Sequence, residues 1–66
     1  MAKVVILPGG NGYEVEGKKV SQLLTELKLN PNEVLVIDRS NNRLLREDDV
    51  IGGDRLIEIR RVVSGG

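Results

Sequence analysis

The stretch Val20-Ser21-Gln22-Leu23-Leu24-Thr25-Glu26-Leu27-Lys28-Leu29-Asn30 decides the fold, because it is the one part of the chain whose apolar period is helical. Val20, Leu23, Leu24 and Leu27 fall at i, i+3, i+4 and i+7 and so share one face, with Ser21, Gln22, Thr25, Glu26 and Lys28 on the other. This spacing predicts an amphipathic helix of about three turns. Asn30-Pro31 stops it, since the residue before a proline is pushed out of the helical region. Its start is poorly marked: Lys18 or Lys19 stands where a capping Ser, Thr or Asp would be expected.

On either side of this helix the period is that of strands. Residues 3–7 (KVVIL) are β-branched and apolar, and Pro8-Gly9-Gly10-Asn11-Gly12 is dense in turn formers, which predicts a strand and a hairpin loop. Residues 13–16 alternate as a second, half-exposed strand that Gly17 ends. After the helix, residues 34–37 (VLVI) form the most continuously apolar segment, which suits a central strand buried on both faces. Arg39-Ser40-Asn41-Asn42 reads as a turn, Arg43-Leu44-Leu45 as a very short strand, and Gly52-Gly53-Asp54 as another turn. The last strand covers residues 56–63. Ile57 and Ile59 are favoured inward with Glu58 and Arg60 outward, and a shifted register would turn Leu56 inward instead.

The order is strand, strand, helix, strand, short strand, strand. One helix laid across one face of a mixed sheet is the compact way to bury a single apolar stripe, and a right-handed crossover should set the strand after the helix parallel to an existing one. The expectation is an α+β chain of the β-grasp kind, a mixed four- to five-stranded sheet with one helix packed across it. A split βαβ sandwich normally has two helices, and only one helical period is visible. Without repeats or linkers, residues 1–63 should form a single domain, followed by a flexible glycine tail at residues 64–66.

Composition narrows the function. The 66 residues include ten basic and ten acidic side chains but no cysteine, histidine, tryptophan or phenylalanine, which removes thiol and imidazole catalysis and the usual zinc and iron ligand sets. A chain of this size buries only about 60% of its unfolded surface, leaving little room for a catalytic cavity. It should not be an enzyme, and should act through its surface or an end. The absence of cysteine suits a reducing cytosol, and no apolar run is long enough for a signal peptide or a bilayer span, so a cytoplasmic chain is expected. Zero net charge argues against direct nucleic-acid binding.

Two local motifs weaken on inspection. Gly12 to Gly17-Lys18 has the glycine spacing of a phosphate loop, but Lys19 replaces the Ser or Thr that would hold magnesium, and Glu14 and Glu16 would repel phosphate. Glu47-Asp48-Asp49 lacks the ligand spacing of a calcium loop and is expected to be a solvated turn or an acidic patch. The terminal Ser64-Gly65-Gly66 carries more, since the last strand runs almost straight into it. A tail without Cβ atoms can lie flat in a narrow channel and present its carboxylate to another enzyme. That carboxylate, with a pKa of about 3.5, is ionised and unreactive until activated.

With this helix signature, the Val34-Leu35-Val36-Ile37 strand, the Gly53-Asp54 turn and the Ser64-Gly65-Gly66 end, the chain resembles over its whole length the ubiquitin-like sulfur carriers. This group includes the thiamine carrier ThiS, the molybdopterin carrier MoaD and proteins serving tRNA 2-thiolation or protein conjugation. The resemblance implies that Gly66 is adenylated by an ATP-dependent activating enzyme and converted to a thiocarboxylate, with Gly65 and Ser64 as its unobstructed approach. Sulfur would then pass to a synthase of the thiamine or molybdopterin pathway or to a tRNA thiolase. The alternative is a protein modifier joined through Gly66 to target lysines. The tail lacks the third glycine common in ThiS-like chains and the prolines frequent in MoaD-like ones, so it looks most like the tRNA-thiolation and conjugating members. No cofactor would be bound by a monomeric carrier, because ATP is used by its partner. Arg60, Arg61, Val62 and Val63 form the expected partner interface, since apolar anchors beside arginine are enriched at such surfaces.

Overall fold

A computed structural model of the chain describes residues 1–62, so the expectations for Val63, Ser64, Gly65 and Gly66 lie outside the described residues. The first strand, β1 (Ala2–Leu7), buries Ala2 and Val4 while Lys3 faces water, the alternation of a sheet with one covered face. Gly9 and Gly10 adopt positive φ, and Gly10 N–H donates to Ile6 C=O at 2.8 Å, turning the chain into the antiparallel β2 (Asn11–Val15). That pairing makes the phosphate-loop spacing a feature of an ordinary ladder strand. The remaining long strands are β4 (Val34–Asp38) and β7 (Leu56–Arg61), and β5 (Arg43–Leu44) adds a short edge. Their order across the sheet is β2-β1-β7-β4-β5.

Two expectations about this sheet are corrected. The strand after the helix does not run parallel to a neighbour: β4 is antiparallel to β7, and the parallel pair is β1 with β7. The slot beside β1 is filled by the last strand, so the chain's first and last long strands meet at its centre. Nor is the VLVI segment central and buried on both faces, because Leu35 is 44% exposed while Val34 and Val36 are buried. β7 holds the middle, with Ile57 and Ile59 fully buried and Leu56 exposed, so the favoured register is the one observed.

The helix α1 (Val20–Glu26) is about a turn shorter than its apolar period suggested. Lys28 enters the left-handed region at φ 59°, Lys28 N–H donates to Thr25 C=O at 3.1 Å, and Leu29 N–H reaches back to Leu24 C=O at 2.8 Å. These are the two bonds of a Schellman ending, which satisfies terminal carbonyls and stops the helix ahead of the proline. Leu27 and Leu29 still pack against the core, so the period continued into the cap while the helix did not. The short 3₁₀ turn Pro31–Glu33 then leads into β4.

At the other end, the absent capping side chain is replaced from a distance. Val20 N–H donates to Asp49 C=O at 2.9 Å and Ser21 N–H to Glu47 C=O at 3.1 Å, while Gln22 Oε1 accepts from Lys19 N–H at 3.1 Å. The acidic 47–49 loop thus serves the helix through its backbone. A two-stranded ladder of β3 (Lys18–Lys19) with β6 (Val50–Ile51) holds that loop in place. Val20, Leu23 and Leu24 from α1 join Val4, Ile51, Ile57 and Ile59 in one aliphatic core on one side of the sheet. The result is an α+β chain with a mixed five-stranded sheet and one helix. No helix among the described residues is long and apolar enough to cross a membrane.

Candidate functional site

Directly paired residues on neighbouring strands point to the same side of a sheet. Since Val4, Ile57, Ile59 and Val36 face the core, the register turns Val5 and Leu7 of β1, Leu56, Glu58 and Arg60 of β7, Leu35 and Ile37 of β4, and Leu44 of β5 to the opposite side. The core helix lies on the inner side only. Leu35, Leu44 and Leu56 are accordingly 44%, 59% and 41% exposed, three large apolar side chains distributed over the outward side.

Lys3 of β1 and Glu14 of β2, directly paired, share this face, and further charges gather around Glu58. Its Oε2 accepts from Arg39 Nη1 at 2.6 Å, and its Oε1 lies 3.5 Å from Arg60 Nε. Arg39 is placed by the turn that follows β4. Asp38 Oδ1 accepts from Asn41 N–H at 3.1 Å and its Oδ2 from Asn41 Nδ2 at 2.9 Å, while Arg39 N–H donates to Leu56 C=O at 2.8 Å. Asp38 is wholly buried and also accepts from Arg55 Nη1 at 3.0 Å; the same guanidinium donates to the carbonyls of Gly52 and Val50. Burial opposes ionisation of Asp38, but hydrogen bonds from the Asn41 side chain and backbone and from Arg55, together with the Arg55 charge, outweigh it. Its carboxyl titrates below the ordinary 3.8.

Three of the four expected interface residues come together where β7 ends. Arg60, Arg61 and Val62 line a shallow depression of about 480 Å³ with Leu7, Pro8 and Leu35. Arg61 and Val62 also border a second depression of about 310 Å³ beside Lys28, Leu29 and Asn30. Val62 is 46% exposed, so it is not the buried end of a core strand, and its N–H donates to Glu33 C=O at 2.8 Å, fastening the chain at the rim of the sheet. Val63, Ser64, Gly65 and Gly66 follow outside the described residues.

The sequence did not reveal the Arg39–Glu58 pair or the Asp38–Asn41–Arg55 network. The first depends on the alignment of β4 with β7, which no local pattern encodes. The second had one local signal, an Asp three residues ahead of an Asn at a strand end, the spacing of a side-chain-closed turn. No family model matches the chain, and no curated protein matches it.

Proposed function

We propose that the chain is a β-grasp domain over residues 1–63 and a sulfur carrier of the ubiquitin-like kind, whose Gly66 carboxylate is the reacting group. In this reading the carboxylate attacks the α-phosphate of ATP on an activating enzyme, pyrophosphate leaves, and an acyl-adenylate forms. Sulfide then attacks the acyl carbon and displaces AMP, leaving a thiocarboxylate. The chain supplies no catalytic side chain, only a docking surface and an end that can be threaded into another active site.

The observation that carries this reading is the position of β7. It runs through the centre of the sheet between β1 and β4 and ends at Arg61, where Arg60, Arg61 and Val62 line a depression with Leu7, Pro8 and Leu35. An enzyme seated on the outward face would stand beside Val62, which precedes the expected tail in sequence. The element order, with parallel first and last long strands and one helix on a single face, supports the β-grasp assignment.

Incubating the chain with ATP, sulfide and the adenylating enzyme of its own host tests the reading by intact mass. The expected result is a mass gain equal to the difference between sulfur and oxygen, lost when Gly65 and Gly66 are removed. An unchanged mass overturns it, and a ladder of lysine-linked adducts in the host would point to the protein-modifier alternative.

A further inference from the structure

Glu58 occupies the middle of the outward face and is nearly enclosed, its side chain only 12% exposed. Arg39 serves Oε2, but Oε1 is buried without a hydrogen-bond partner among the described residues. Its cross-strand neighbours are Val5 and Ile37, both apolar. Arg60 Nε lies 3.5 Å from Oε1, close enough for charge attraction but outside hydrogen-bonding geometry, so the acceptor still calls for a donor. A wholly apolar surface laid over this face would seal that deficit in, whereas a surface carrying a donor would relieve it. The acceptor therefore discriminates between covers.

The charge around it narrows the donor. Arg39 and Arg60 already set two cations against one carboxylate, so a third cation is disfavoured and the donor is a neutral N–H or O–H. The cation excess favours a carboxylate in the partner close to Arg60. We propose that the open face binds a segment of a partner protein that presents apolar side chains, one neutral donor meeting Glu58 Oε1, and a carboxylate meeting Arg60. Glu58 is then the specificity-determining acceptor of the face. This rests on the reading of the face as a docking surface and is independent of the sulfur chemistry.

The test is selection of a phage-displayed peptide library on the immobilised full chain, followed by titration of the selected peptides against wild type, Glu58→Met, Glu58→Gln and Arg60→Glu. Selected peptides should combine apolar and acidic residues. They should bind Glu58→Met at least about tenfold more weakly, as expected for losing a hydrogen bond to a charged group. Glu58→Gln, which keeps an oxygen acceptor, should lie closer to wild type, and Arg60→Glu should abolish binding. No enrichment, peptides rich in lysine and arginine, or equal affinity for Glu58→Met overturns the proposal. If Glu58→Met does not fold, amide chemical shifts of the wild-type chain decide: perturbations centred on Val5, Ile37 and Glu58 support it, and perturbations elsewhere overturn it. A thiocarboxylated chain whose peptides ignore Glu58 refutes this inference alone. A chain that selects such peptides but never gains sulfur refutes the carrier reading alone.

Discussion

Asp38 is the buried acid that ties separate segments of the fold together. Its two oxygens hold the turn after β4 through Asn41 and, through Arg55, the carbonyls of Val50 and Gly52 in the segment whose neighbouring carbonyls cap α1. Replacing it with alanine leaves the Arg55 guanidinium, itself 27% exposed, without its counter-ion and both Asn41 donors unpaired. Breaking a buried pair from one side costs about 3 kcal/mol, so Asp38→Ala should lower the melting temperature by roughly 10–20 °C, read by thermal circular dichroism. The pH dependence follows from the direction of its shift. A carboxyl that titrates lower in the folded chain than in the unfolded one contributes stability that is fully present above the unfolded value. That contribution is lost as the pH falls through the folded value, so urea midpoints should decline as the pH drops below about 4 in wild type and decline less in Asp38→Ala.

At the scale of elements, the helix ending gives a prediction of opposite sign. Lys28 sits at the left-handed position after α1, where a Cβ is strained and glycine is not. Lys28→Gly should therefore stabilise the chain by about 1 kcal/mol in urea unfolding, and a loss of stability would mean that the lysine side chain makes a contact worth more than the strain. The same ending shows what the sequence could convey. Val20, Leu23, Leu24 and Leu27 announced a helix and its buried face, and Ile57 and Ile59 announced the inward side of β7, because period is a local property. The length of α1 was not legible, since apolar residues continue through the cap. Its N-terminal partners were not legible either, because Glu47 and Asp49 are far along the chain, and the two-residue strands β3 and β6 that bring them near are too short to show a period. Of the candidate site, the shared position of Arg60, Arg61 and Val62 at the end of β7 was legible from their place after the last core isoleucine. The exposure of Leu35 was not, because an apolar run reads the same whether or not a second layer covers it.

At the scale of the whole molecule the sheet is one-sided. A single short helix covers the inner face, and with so few residues nothing remains among the described ones to cover the other. Outward apolar groups at Leu35, Leu44 and Leu56 then contribute little to folding, and under the proposed function they are what a partner would cover. If that partner is the activating enzyme, function and stability should separate at the rim. Val62 and Val50 are both exposed valines, 46% and 53%, but Val62 borders the depression at the end of β7 while Val50 lies on the small β3–β6 ladder. Aspartate at either position is a surface change within about 0.5 kcal/mol, a few degrees of melting temperature at this chain length. Val62→Asp also places an anion beside Arg61, cancelling charge that a partner would meet. Intact-mass assays with ATP, sulfide and the activating enzyme should therefore find thiocarboxylate formation at least about tenfold slower in Val62→Asp and near wild type in Val50→Asp, with melting temperatures alike. Equal rates in the two variants would remove the rim of β7 from the docking surface.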